Sequence, residues 1–247
     1  GYPFASISDE ELAGTDLSEF SVVIWISGEE STLNETFNSS DQEILRSFVD
    51  DGGKLIVSGA EIFWDLDFQG SSEDQAFAEE VLGSLLGVDD ADSYLANGEG
   101  ILDGIPMNFS FDEGAPYNVE WPDTLDSVHA VVARYDSGGV AGIHTGSAVV
   151  FGFPLDLIID LDARTELFSI LLDDLLDGFD DIHDSSEPSS EVSSEPSSEV
   201  SGEPSEEDTS MGSKDEGCSC RKNNTETAWF LVPLLFLFST RRRNEGK

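Results

Sequence analysis

Short apolar runs and helical stripes alternate along the first 180 residues of the chain. The run FSVVIWIS (residues 20–27) is apolar at consecutive positions and rich in β-branched residues, which predicts a strand buried on both faces. The segment SSDQEILRSFVDDGGK follows, with apolar residues at helical spacing, a capping box of Ser40 and Glu43, and a stop at Gly52 and Gly53. KLIVSG is a second buried strand. This strand–helix–strand order predicts two parallel strands joined by a right-handed crossover.

The remaining pattern extends this α/β frame. Residues 73–87 predict another helix, SAVVFGFP predicts a third buried strand, and DARTELFSILLDDLLDGF predicts a closing amphipathic helix. Between them, residues 88–147 are rich in Gly, Asp and Pro, with short strand-like runs such as SVHAVVARY and GVAGIH. The predicted fold is therefore α/β, a flavodoxin-like open and mostly parallel sheet flanked by helices, with an irregular β-containing insertion.

The pattern changes completely after the predicted closing helix. From Ser185 the chain repeats SSEPSSEV, a composition that cannot bury enough apolar surface to order itself, so we expect a disordered stalk. The tail then carries Cys218 and Cys220, the apolar run 228–238 and three arginines (Arg241, Arg242 and Arg243). This run is shorter than the roughly 20 apolar residues that a membrane-spanning helix needs. The predicted organisation is an α/β domain over residues 1–183, a stalk over 184–217 and a tail over 218–247.

Composition excludes some classes of function. The chain has 52 acidic against 11 Lys and Arg residues, a net charge of −41, so its surface repels phosphate groups and nucleic acid is not an expected partner. Both cysteines lie in the tail, which leaves residues 1–183 without a disulfide, a thiolate zinc site or a cysteine nucleophile.

Catalytic patterns are missing as well, and no catalytic residue is predicted. A nucleophile elbow places Ser or Cys between a strand and a helix, but the corresponding turn, VSGAEIFWD, has Gly59 and Ala60 there. His144 lies near Ser147 around a turn between strands, which favours a structural role. The three scattered histidines do not form a zinc pattern.

Carboxylates follow the first two predicted strands at the point where each strand ends. Carboxyl ends of parallel strands meet at one edge of the sheet, where ligands bind, so these residues predict an acidic crevice: Glu29, Glu30, Glu61, Asp65 and Asp67. Such a cluster suits Ca²⁺, and Asp90 with Asp92 is a second candidate calcium loop. No other cofactor is expected. The alternative is that these carboxylates cap helices or face solvent.

The stretches VVIWISGEEST, SSDQEILRSFVDDGGKLIVSGAEIFWDL and VVFGFPLDLI resemble the class I glutamine amidotransferase-like fold, over about residues 15–178. More narrowly, they are similar to its noncatalytic versions near the C-terminus of large secreted bacterial proteins. The family's Cys and His–Glu pair have no match here, so amidotransferase activity is not implied. That fold has a further strand and helix before residue 20. We therefore expect an exposed sheet edge or an unfilled apolar groove beside residues 20–27.

The tail resembles a myxobacterial-type C-terminal sorting signal, which combines a Cys motif, a short hydrophobic helix and an Arg cluster. The resemblance implies that the apolar run is a helix held in the inner membrane, with its arginines cytoplasmic, until a processing protease acts near Cys218 and Cys220. A permanent short anchor is the alternative. Either implies an extracellular or cell-surface location.

The combined interpretation is a noncatalytic accessory or binding module at the C-terminus of a larger secreted or cell-surface bacterial protein. Its expected partners are upstream domains of the same polypeptide, the membrane, the processing protease and an extracellular glycan. Two alternatives stay open: a carboxylate-dependent extracellular hydrolase and a calcium-dependent carbohydrate-binding module.

Overall fold

A computed structural model describes residues 2–29, 35–180 and 234–238, with the backbone alone at 177–180, 234 and 238. Contacts divide the chain into two units, one of Gly1–Asp184 with Phe230–Lys247 and one of Ser185–Trp229. All described residues belong to the first unit. The predicted stalk lies outside the described residues.

The described chain is α/β, as the sequence predicts. Its helices are α1 (Ser39–Asp50), α2 (Ser72–Phe77) and α3 (Leu161–Asp180), with π-helical turns at Trp64–Gln69 and Ala78–Leu82. Its strands are β1 (Phe4–Ser8), β2 (Val22–Ile26), β3 (Lys54–Ser58), β4 (Leu85–Leu86), β5 (Leu95–Gly98), β6 (Pro106–Asn108), β7 (Leu125–Asp126), β8 (Ala130–Tyr135), β9 (Val140–His144), β10 (Ala148–Phe151) and β11 (Leu234–Phe238).

Nine of these strands form one mixed sheet in the order β1-β11-β2-β3-β10-β9-β8-β5-β6, and β4 pairs with β7 separately. Strands β2, β3 and β10 are parallel to one another, which confirms the prediction from the βαβ pattern. Every other pairing in the described sheet is antiparallel. The predicted insertion, residues 88–147, supplies β5 to β9 and so extends this sheet, apart from β7.

The central strands are apolar at consecutive positions because both faces of the sheet are covered. On one face, Trp25 of β2 packs in a core with Leu45 and Phe48 of α1 and Phe77 of α2. On the other face, Ile24 belongs to a second core that includes residues of α3. The parallel part of the sheet is therefore buried between helical layers, and its strand ends are the accessible places for chemistry.

Local capping differs from the prediction. The N-cap of α1 is Asn38, whose side chain accepts from the N–H groups of Ser40 and Asp41, and Asp41 closes the capping box in place of Glu43. The predicted helix over 73–87 ends early, because Gly83 adopts φ +80° after the π-helical turn and Leu85–Leu86 form β4.

Strand β2 has a neighbour on each side, β3 and β11, so the expected exposed edge or unfilled groove beside residues 20–27 is wrong. The segment that fills this place comes from the tail. A helix was predicted over residues 228–238, but Leu234–Phe238 form a strand because both faces of that position are apolar and a Leu/Phe run can cover both. The part of this run before Leu234 lies outside the described residues.

Candidate functional site

The turn after β3 is a strained strand-to-helix elbow. Glu61 adopts φ +64°, in the left-handed region that side-chain-bearing residues rarely occupy. The backbone becomes helical directly afterwards, and the carbonyl oxygen of Glu61 accepts a hydrogen bond from the N–H of Asp65 at 2.9 Å. The strained position of the elbow therefore holds Glu61, two residues beyond the Gly59 that the sequence suggested.

The Glu61 carboxyl group is buried, and no described residue gives it a hydrogen bond. Its residue is 2% exposed, and neither carboxylate oxygen contacts a donor within the part of the chain that the structure describes. Burial raises the pKa of Glu61 to about 7, and the charges of Asp89, Glu120 and Asp65 add to this rise. Near neutral pH, Glu61 is thus a mixture of the neutral acid and the carboxylate.

A second buried acid, Asp123, lies close to Glu61. Its residue is 0% exposed, its Oδ2 accepts from the N–H of Phe63 at 2.8 Å, and its Oδ1 has no partner among the described residues. Burial raises the pKa of Asp123 well above its ordinary value. The Phe63 hydrogen bond opposes this rise, and the Glu61 charge reinforces it. An ionised Glu61 therefore disfavours ionisation of Asp123.

The backbone holds Asp123 against the end of β10. Its N–H donates to the carbonyl oxygen of Gly152 at 2.9 Å, and the buried Tyr135 hydroxyl lies 2.9 Å from the carbonyl oxygen of Asp123 and 3.1 Å from that of Gly152. A Cβ on Gly152 would lie 2.1 Å from the Asp123 carbonyl oxygen. Residue 152 must therefore be glycine for the two segments to approach.

Ser27 completes the arrangement at the end of β2. It is fully buried, its N–H donates to the Ser58 carbonyl, and its hydroxyl has no partner among the described residues. A Cβ on Gly59 would lie 2.6 Å from the Ser27 hydroxyl oxygen, so Ser27 packs directly against the elbow. We call Ser27, Glu61 and Asp123 the carboxyl-end cluster.

The carboxyl-end cluster has the features of a binding site. It lies at the carboxyl ends of the three parallel strands, where open α/β sheets bind ligands. Buried polar atoms are normally hydrogen-bonded, so Ser27, Glu61 and Asp123 need an explanation, because each has a buried side-chain atom without a partner among the described residues. A ligand or ordered water that donates hydrogen bonds would satisfy these oxygens.

The structure brings together part of the predicted acidic crevice. Asp65 and Glu61 interact electrostatically, but the Asp65 carboxylate accepts from the N–H of Thr36 at 2.9 Å. The Asp67 carboxylate accepts from the N–H of Leu86 at 3.0 Å and so fixes β4. Glu29 is exposed, and Glu30 lies outside the described residues. Asp123 was missed because it stands alone in the segment WPDT, and the tertiary fold alone brings it to the elbow.

Calcium binding stays a prediction. Asp90 and Asp92 are exposed and form a turn in which the Asp90 carboxylate accepts from the Asp92 N–H at 2.8 Å. Over residues 2–29, 35–180 and 234–238, no group of three or more His, Cys, Asp and Glu residues is arranged to hold a metal ion.

The predicted turn at His144 and Ser147 is structural. The Nε2 of His144 pairs with the Asp174 carboxylate at 2.8 Å, and its Nδ1 accepts from the Gly146 N–H at 2.9 Å. The Ser147 hydroxyl lies 3.3 Å from that of Thr145. The His144 side chain is therefore engaged within its own turn and with α3, and the Ser147 side chain within the turn.

The residues of the predicted sorting signal, Cys218, Cys220, Arg241, Arg242 and Arg243, lie outside the described residues. Within the described part of the chain, no helix is long and apolar enough to cross a membrane. Comparisons with protein-family models, with curated proteins and with solved structures found no match, so the two resemblances remain predictions.

Proposed function

We propose that this chain contains a noncatalytic accessory module of a larger secreted or cell-surface bacterial protein, with an amidotransferase-like fold and a C-terminal sorting signal. The elbow after β3 supports this reading of the fold, because its strained residue has the place of a catalytic nucleophile. In this chain a buried glutamate occupies that place.

The observation that carries the proposal is the state of the Glu61 carboxyl group. A hydrolytic nucleophile must be activated by a neighbouring base or by a lowered pKa. The titratable neighbours Asp89, Glu120, Asp65 and Asp123 of Glu61 are all acids, and its pKa is raised rather than lowered. These features suit a group that receives hydrogen bonds from a bound molecule. A glycan hydroxyl or a cationic group supplies such donors.

Turnover assays test the absence of catalysis. The full chain would be assayed against chromogenic glycosides, esters and peptides, beside Glu61→Gln and the control Glu43→Gln, which alters an exposed residue of α1. We expect no turnover that distinguishes the wild type from Glu61→Gln. Turnover that Glu61→Gln abolishes and Glu43→Gln keeps would overturn the proposal.

A carboxylate-dependent hydrolase is the second candidate, favoured by one observation. Two neighbouring carboxyl groups with raised pKa values can divide the roles of acid and base, and a pKa of about 7 suits proton transfer at neutral pH. This candidate predicts a rate that depends on the ionisation of Glu61 and falls at least a hundredfold in Asp123→Asn.

The sorting part of the proposal has its own test. Expressed with its leader in a bacterium that has such a sorting system, the surface-exposed protein should lack the Arg241, Arg242 and Arg243 end, because processing near Cys218 and Cys220 removes it. Intact mass spectrometry reads this directly. Surface-exposed protein that retains the three arginines would indicate a permanent anchor instead.

A further inference from the structure

The tail strand β11 lies inside the sheet between the first two strands of the domain. Each of its five residues is paired with a residue of β1 on one side and of β2 on the other. Leu235 and Leu237 are fully buried in the core that contains Trp25 and Val23. Phe236 packs on the opposite face, with its ring centroid 6.1 Å from that of Phe4. The strand is thus held through both backbone edges and both faces.

The place occupied by β11 has the form of a slot for one strand. Strands β1 and β2 are both antiparallel to β11 and therefore run in the same direction. Since neighbouring strands lie about 4.8 Å apart, β1 and β2 are separated by roughly 10 Å. Without β11, both would present unpaired backbone groups to this gap, which is the arrangement that recruits an extended peptide.

The slot selects an apolar occupant. A strand in this position must bury side chains on both faces, and LLFLF has no polar residue. A charged residue at position 235 or 237 would be forced into the core beside Trp25, where an unpaired charge is strongly disfavoured.

We propose that the gap between β1 and β2 is a strand-binding site whose occupant is the chain's own tail segment, residues 234–238, and that this strand detaches as a unit. The detachment rests on the proposed sorting function, because the same residues cannot lie in the sheet and enter a membrane at once. Binding between β1 and β2 keeps the apolar residues 234–238 out of water until they insert into the membrane.

The hydrogen-bond directions in β2 give this proposal a specific signature. The N–H of Ser27 donates to β3, and the carbonyl of Ser21 accepts from the N–H of Lys54, so alternate residues of β2 face β3. Because this orientation alternates along a strand, the N–H groups of Val22, Ile24 and Ile26 face β11, whereas those of Val23 and Trp25 face β3.

Amide hydrogen exchange by NMR on the full chain tests the proposal. In Leu235→Asp/Leu237→Asp we expect the amides of Val22, Ile24 and Ile26 to exchange at least tenfold faster, while those of Val23 and Trp25 stay slow. The control Ser239→Asp/Thr240→Asp adds the same charge after the strand and should match the wild type. A peptide with the sequence of residues 231–240 should restore slow exchange in the first variant, and the same peptide with Asp at 235 and 237 should not.

A measurement on the wild type covers the case in which the variant unfolds. Vesicles of phosphatidylcholine with phosphatidylglycerol should accelerate the same three amides and leave Val23 and Trp25 slow. Five amides that accelerate together, in the variant or with vesicles, would show that β11 is inseparable from the fold and would overturn the proposal. So would unchanged exchange in the variant. The two proposals can fail separately. Arginines retained in the mass spectrometry assay would refute processing of the tail, whereas the exchange pattern of the three amides tests only the detachment of β11.

Discussion

The carboxylate of Asp123 accepts a hydrogen bond from the backbone N–H of Phe63 at 2.8 Å. This bond joins two segments that are 60 residues apart and fixes the first helical turn after the elbow. The other oxygen of Asp123 and both oxygens of Glu61 have no partner among the described residues, so the Phe63 bond ties a buried and incompletely satisfied acidic pair to the elbow. The stability of the elbow should consequently depend on the protonation of these two groups.

The folded wild-type protein should lose stability as the pH rises through 7, and Glu61→Gln should remove much of this loss. The folded-state pKa of Glu61, about 7, is above its ordinary value of 4.5, so between these values the folded state binds more protons than the unfolded state. Stability contributed by the protonated acid is complete below about pH 4.5 and is lost as the pH rises through 7. The loss is up to about 3 kcal/mol. Urea unfolding at pH 5 and pH 8 measures it.

The test compares how much the free energy of unfolding changes between pH 5 and pH 8 in each variant. Any effect of the substitution on packing is the same at both pH values and cancels in this comparison. We expect Glu61→Gln to gain stability relative to the wild type on going from pH 5 to pH 8, with Glu43→Gln as the exposed control. An equal pH dependence in the wild type and Glu61→Gln would show that Glu61 ionises normally.

Glycine should be better tolerated than alanine at position 61. The backbone there has φ +64°, which costs a side-chain-bearing residue on the order of 1 kcal/mol and costs glycine nothing comparable. Glu61→Gly should therefore be more stable than Glu61→Ala by about 1 kcal/mol, the reverse of the usual order in helices. Equilibrium unfolding of the two variants measures the difference, and an alanine variant that is equally or more stable would argue against strain at the elbow.

Tyr135→Phe should loosen the approach of Asp123 to Gly152. The Tyr135 hydroxyl is within hydrogen-bond distance of both carbonyl oxygens, and the phenyl ring cannot donate to either. Leaving these buried acceptors with fewer donors costs about 1–3 kcal/mol. Thermal unfolding should show a lower Tm for Tyr135→Phe and an unchanged Tm for the control Tyr94→Phe, which alters a partly exposed residue. An unchanged Tm in both variants would contradict this role.

Sorting should depend on the apolar character of the tail. Leu235→Asp/Leu237→Asp places two charges in the segment that we propose enters the membrane, where a charged side chain costs roughly 3 kcal/mol at the centre of a helix. We expect this variant to keep its Arg241, Arg242 and Arg243 end and to fail to reach the surface. Mass spectrometry and surface proteolysis in the sorting-competent host would show normal processing if the segment does not enter the membrane.

The parts of the fold that the sequence predicts are those in which local pattern and tertiary position agree. Strands β2 and β3 and helix α1 follow from consecutive apolar runs around a capped helical stripe, and their parallel pairing follows from that order. Strand β1 gave no clear signal because FASIS is short and its residues are at most partly buried. A short apolar run can be a buried strand or a helix, and the partners that decide this for residues 234–238 are more than 200 positions away.

In the candidate site, too, the sequence predicts the residues that depend on local pattern and misses those that depend on distant contacts. Glu61 was predicted because it follows a strand whose carboxyl end is accessible to ligands. Asp65 and Asp67 follow the same strand, but they accept backbone N–H groups from Thr36 and Leu86, contacts that depend on where distant segments fold. Asp123 belongs to the site because it binds the N–H of Phe63, which is 60 residues away, and no local sequence pattern predicts this contact.

The position of β11 also fixes the order in which the sheet can be completed. Residues 234–238 leave the ribosome after every other described strand, yet they lie between β1 and β2, which leave before the other described strands. During synthesis those two strands must wait or pair directly with each other, and the late strand must then separate them. Closing a loop of about 200 residues adds only a modest entropic cost, but contacts this distant in sequence slow folding. Insertion of the last strand is therefore the step at which we expect this domain to fold most slowly.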